Sequence, residues 1–170
     1  NSIKAVVLEI NSPGGTVVAS RELAHAVKNL NKPSVAVIRE VGASGAYWVA
    51  SSANVIIADE LSITGSIGVI SSYLQFSELM KKYGITYEGL TAGKYKDLGT
   101  PFKELEKDER NILQNKLNKI QEIFIREVKD NRKINNTERI STGEFFLGIE
   151  AKELGLVDKF GDREIAIEEA

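Results

Sequence analysis

Apolar positions along the chain fall into short dense runs separated by glycine-rich turns, followed by one long stretch with a single apolar face. Ile3 to Ile10 is rich in β-branched residues, and its near-continuous apolar middle predicts a strand covered on both faces. Asn11-Ser12-Pro13-Gly14-Gly15 breaks it sharply. From Thr16 to Leu30 helix formers dominate, with apolar residues at 23, 26, 27 and 30 forming a one-sided stripe that Asn31-Lys32-Pro33 ends. Ser34 to Ile38 is predicted as a second strand, a helix is expected after Ser44, and Asn54 to Ala58 is predicted as a third strand. This alternation of strands and helices predicts an α/β fold with parallel strands, whose ligands bind at the carboxyl ends of those strands. The glycine-rich turns at 11–15 and 42–45 both lie there.

Further on, Ser62 to Ile70 reads as a small-residue loop running into another strand. Phe76 to Tyr83 predicts a short helix closed by Gly84, Ile85 to Leu90 a strand, and Thr91 to Pro101 an exposed loop with two lysines. Lys103 to about Lys133 predicts one long helix, because Leu113, Leu117, Ile120, Phe124 and Val128 recur at helical spacing among charged neighbours. Thr142 to Gly161 is turn-rich, with a brief helix at 151–154 and a final strand at Leu156-Val157.

Composition narrows the function classes. The 170 residues fit one domain, 1–170. A net charge of −2 leaves no basic excess to neutralise phosphates, which argues against nucleic acid as a partner. With no cysteine there is no disulfide, thiol catalysis or thiolate metal site, and no metal or cofactor is expected. No apolar run approaches the roughly 18 residues that span a bilayer. Because the first residue is Asn1 rather than methionine and a strand follows almost at once, the chain is expected to be an excised soluble portion of something longer.

Ser44 sits between Gly42 and Gly45, after a buried strand and before a helix. There a serine oxygen is free to attack a carbonyl while the Gly45 amide meets the resulting oxyanion; equally, a serine there caps a helix. Consecutive glycines at 14 and 15 let amides approach a carbonyl closely, or simply make a Pro-Gly turn. A nucleophilic serine needs a base. The single histidine, His25, lies in a helix body and reads as structural or solvated rather than catalytic. A lysine base, with a reference pKa of about 10.4, needs desolvation or neighbouring cations to act near neutrality. Lys94 and Lys96 are the candidates, and spacing does not separate them from solvated loop lysines.

Asn11-Ser12-Pro13-Gly14-Gly15, Gly42-Ala43-Ser44-Gly45-Ala46-Tyr47, Thr64-Gly65-Ser66-Ile67-Gly68-Val69 and Gly93-Lys94-Tyr95-Lys96 stand in an order that resembles signal peptide peptidases of the SppA type. Thr142-Gly143-Glu144 and Ala151-Lys152-Glu153-Leu154-Gly155-Leu156-Val157-Asp158 extend the resemblance to residues 5–161. It implies the Clp/crotonase fold, a spiral of β-β-α units. It also implies that Ser44 is the nucleophile, Lys96 the general base, Ser66 the group orienting the lysine, and Gly15 and Gly45 the oxyanion hole. Lys94 is implied no role. The related Clp peptidases carry a histidine 25 positions after the serine; Val69 stands there, favouring a Ser–Lys dyad. The resemblance further implies homo-oligomeric rings, with serine and lysine pairing within or between subunits. Its substrates would be extended apolar peptides such as cleaved signal peptides, cut by an extracytoplasmic catalytic domain of a membrane-anchored protein. Two rival readings are a crotonase-like acyl-CoA-binding enzyme and a non-catalytic, ring-forming, membrane-associated scaffold.

Overall fold

Six strands and seven helices are present in the computed structural model, which describes residues 2–170. In chain order they begin with β1 (Val6–Ser12), α1 (Val17–Lys28), β2 (Ser34–Ala43), α2 (Gly45–Ser51), β3 (Val55–Ala58) and β4 (Ile63–Gly65). Next come α3 (Ser77–Lys82), α4 (Lys107–Asn131), α5 (Thr137–Ile140) and β5 (Phe145–Leu147). The last three are α6 (Gly148–Glu153), β6 (Lys159–Phe160) and α7 (Arg163–Glu169). The chain divides into two units, one running to Val69 and resuming at Gln121–Ala170, the other Ile70–Ile120.

The first unit is built on β2. Strand β1 runs parallel to it from Val6↔Ser34 to Ile10↔Ile38 and, past an irregularity, at Ser12↔Gly42. On the opposite edge β3 pairs with residues 35–38 and β4 with residues 41–43, both parallel. Strand β6 extends the sheet beside β3, and β5 adds an antiparallel edge beside β4. Parallel strands need crossovers, which α1 and α2 supply. One face of the sheet meets the main core, where Ala36, Ile38 and Ile56 pack with Tyr47, Trp48, Phe124 and Val128. On the other face Val35, Val37 and Ile57 are covered by Ala166 of α7.

The predicted second strand is buried from Ser34 to Ile38 and continues to Ala43, so Ser44 follows its last residue directly. Strand β1 is only half-buried at Val6, Val7 and Leu8, because it pairs with β2 alone. The α1 stripe expected at 23, 26, 27 and 30 is correct only at Val27. The buried face carries Ala24 and Val27, and Leu23 and Leu30 point outward. Small side chains at 20 and 24 allow α1 to lie close to α2, which turns the bulkier leucines away.

Other expectations shift. Ile85–Leu90 is not a strand: it is exposed and has no partner strand among the described residues. The strand near residue 62 is β4, inside the small-residue loop rather than after it. The last strand is Lys159–Phe160, and Leu156 and Val157 are core residues leading into it. The long helix starts at Lys107, where the Glu109 carboxylate turns back to accept from the Glu106 amide at 3.1 Å. Among the described residues no helix is long and apolar enough to cross a membrane.

Candidate active site

Ser44 occupies a forced turn between β2 and α2, with φ 53° and ψ −127°. Its amide donates to the Gly65 carbonyl at 2.9 Å, and its own carbonyl accepts from the Trp48 amide at 3.0 Å. The side chain makes no capping bond to α2, so capping does not account for the residue. Ser66, directly after β4, also has positive φ, 50°, and its amide donates to the Glu144 carbonyl at 2.8 Å. Among the described residues these two serines are the only non-glycine residues with positive φ. Such backbone costs of order 1–3 kcal/mol, is held only where surrounding bonds over-determine it, and concentrates at functional sites. The register Ala43↔Gly65 places the two serines at the same end of neighbouring strands.

The Asn11–Gly15 turn is tied to β2 by Asn11 Oδ1, which accepts from the Val41 amide at 3.1 Å. Gly14, at φ 110°, packs so closely that a Cβ there would lie 2.7 Å from the Gly45 nitrogen and 3.0 Å from Ser44 Cβ. A Cβ on Gly45 would lie 3.3 Å from the Gly15 nitrogen. The two glycine amides therefore stand side by side. Neither donates to an acceptor among the described residues; Gly45 opens α2, so its amide has no partner within the helix. Both residues line a cavity of about 560 Å³ whose lining also includes Gly14, Ser20, Leu23 and Val49.

Beneath α2, Glu127 of α4 accepts from Arg21 Nε at 2.8 Å and from Trp48 Nε1 at 2.9 Å, and lies 3.3 Å from His25 Nε2. Burial pushes its carboxyl up, but hydrogen bonds from Arg21 and Trp48 together with the cationic charge of Arg21 hold it below the usual range. Trp48 stacks on Phe124 with ring centroids 4.3 Å apart. His25 is thus a structural partner of Glu127. Glu127 gave no sign in sequence, because a glutamate among many on a charged helix is unremarkable.

Lys94, Lys96 and Lys103 belong to the second unit. Lys94 Nζ bonds Asp108 at 2.8 Å, an interaction that raises the lysine pKa and draws Asp108 down to about 2. Lys103 bridges Asp97 at 3.0 Å and Glu109 at 2.8 Å, and these carboxylates likewise hold it protonated. The Lys96 amide donates to the Gly93 carbonyl at 3.1 Å, and its side chain is exposed. Lys96 Nζ has no hydrogen-bond or ion-pair partner among the described residues. Gly15, Ser44, Gly45 and Ser66 are assembled within the first unit; Lys96 lies in the second.

The chain belongs to peptidase family S49, whose model matches residues 26–170. That family has the Clp/crotonase-like fold, in agreement with the parallel sheet and its helices. A candidate protease of Methanocaldococcus jannaschii is 43% identical over 171 residues, covering 98% of this chain and 55% of that protein. A candidate signal peptide peptidase SppA of Enterococcus faecium is 33% identical, covering 98% of this chain and 50% of that protein. The chloroplastic serine protease SPPA of Arabidopsis thaliana is 33% identical, covering 96% and 25% respectively. The chain thus spans about half or less of the length of these curated relatives.

Proposed function

We propose that the chain is the catalytic part of a serine endopeptidase that cleaves extended apolar peptides, such as signal-peptide remnants, through Ser44 and Lys96. The observation that carries this reading is the forced backbone of Ser44 beside the two unpaired amides of Gly15 and Gly45. Neutral Lys96 takes the Ser44 proton as Oγ adds to the peptide carbonyl, and the Gly15 and Gly45 amides receive the oxyanion. The Ser66 hydroxyl holds the Lys96 amine in line. Lys96 then protonates the departing amine and activates the water that frees the acyl group from Ser44. Lys96 serves better than Lys94, since the Asp108 carboxylate keeps Lys94 charged. Homo-oligomerisation, and membrane anchoring of the full-length protein with an extracytoplasmic catalytic domain, complete the proposal. The names of the relatives from Enterococcus faecium, a signal peptide peptidase, and Arabidopsis thaliana, a serine protease, support the peptidase activity and the substrate class.

The test joins covalent labelling with peptide cleavage. A serine-directed fluorophosphonate is expected to modify Ser44, identified by mass spectrometry, and Ser44→Ala to abolish both labelling and cleavage. Lys96→Ala should lower kcat by about a hundredfold or more, the range of general acid–base catalysis. Lys94→Ala should keep most activity. An unlabelled Ser44, or undiminished cleavage in Lys96→Ala, would overturn the reading.

A further inference from the structure

Ser20, near the start of α1, closely approaches the first residue of α2. A Cβ built on Gly45 would lie 2.2 Å from Ser20 Oγ and 2.9 Å from Ser20 Cβ, and the same point is 3.3 Å from the Gly15 nitrogen. The hydroxyl and the Gly15 amide thus flank Gly45 within one small volume, and all three residues line the cavity described above. A serine inside a helix either points its hydroxyl to solvent or bonds the carbonyl four residues back. Here the Thr16 carbonyl accepts the Ser20 amide at 3.0 Å, while Ser20 Oγ has no partner among the described residues. The close approach of α1 to α2 calls for a small side chain at this position, and alanine would satisfy it. The oxygen is surplus to packing.

We propose that the Ser20 hydroxyl is a third hydrogen-bond donor to the oxyanion formed at Ser44, a role that rests on the peptidase reading. As Ser44 Oγ bonds to the carbonyl carbon, its proton passes to the Lys96 amine and the carbonyl π pair becomes a lone pair on oxygen. That oxygen accepts from the amides of Gly15 and Gly45 and from Ser20 O–H, which keeps its proton throughout. When the C–N bond breaks, the carbonyl re-forms and the departing amine takes the proton from Lys96.

Ser20→Ala in the full-length protein removes the oxygen and leaves the packing. Expected are a fall in kcat of about ten- to a hundredfold, in the range for one lost oxyanion donor or slightly below it, with KM little changed. Affinity for a peptide aldehyde, which forms a tetrahedral adduct on serine, should fall by a similar factor while the thermal midpoint stays in place. Unchanged kcat and aldehyde affinity, with Ser44 still labelled by fluorophosphonate, would overturn the role of Ser20 and leave the peptidase reading standing. So would a loss of rate that tracks a loss of thermal stability. Absence of both labelling and cleavage in the unsubstituted protein would instead remove the peptidase reading, and Ser20 with it.

Discussion

Gly45 is where packing and chemistry make the same demand. Its missing side chain admits Ser20 from one side and leaves its amide beside that of Gly15. In Gly45→Ala the new methyl would sit 2.2 Å from Ser20 Oγ and 2.9 Å from Ser20 Cβ. The hydroxyl rotates away; the Cβ is fixed to α1, so α1 or the turn must move. Overpacking of this kind costs about 1–3 kcal/mol. The displaced amide should lower kcat/KM on the order of a hundredfold. Denaturant titration and steady-state kinetics check the two effects, and a native rate in Gly45→Ala would remove Gly45 from the oxyanion hole. The Ser44 turn was legible in sequence because a glycine-flanked serine between an apolar run and a helix marks itself locally. Ser20 was not, since its place at the site arises from how two helices cross, which no local pattern encodes.

Among the elements, the segment that carries Lys96 is held by charge rather than by apolar packing. Lys94 and Tyr95 both donate to Asp108 in the first turn of α4, and Lys103 bridges Asp97 and Glu109. Bonds from Lys94 and Tyr95 bring Asp108 to about 2, below the ordinary aspartate value of about 3.9 expected when unfolded. A carboxylate depressed on folding contributes fully above its unfolded pKa and loses that contribution as pH falls through the folded one. The hold of Asp108 should therefore be complete above about pH 4 and lost toward pH 2. Amide exchange across residues 93–97 is expected to quicken in that window before exchange in β2 does. Asp108→Asn should produce the same quickening at neutral pH; exchange there equal to the unsubstituted protein would contradict the tether. Sequence periodicity found the strands that the core covers, such as Ser34–Ile38, because burial imposes the pattern. It misread Ile85–Leu90, where an apolar run has no ladder to join, and the α1 stripe, where the small residues rather than the large ones face inward.

At the scale of the whole molecule, apolar burial is divided unequally. The first unit holds both hydrophobic clusters. Within Ile70–Ile120 the only buried residues are Ser77 and Glu109, while Ile70, Leu74, Tyr83 and Leu90 are 89%, 73%, 71% and 92% exposed. Single exposed apolar side chains are ordinary, but a concentration of them on a segment without a core is a surface made to be covered. A second copy of the chain is the occupant that the homo-oligomer proposal supplies, and closed symmetric assemblies are the common outcome of such self-contact. The expected mass in sedimentation velocity is accordingly a multiple of the 18.7 kDa chain. Leu74→Asp combined with Leu90→Asp should shift the distribution toward the single chain, since a charge placed in an apolar contact loses its hydration. Neither residue belongs to the proposed chemistry, so loss of activity on dissociation would indicate that the assembled form is the competent one. A single-chain mass at every accessible concentration, with cleavage undiminished, would show that these side chains face solvent in the working protein.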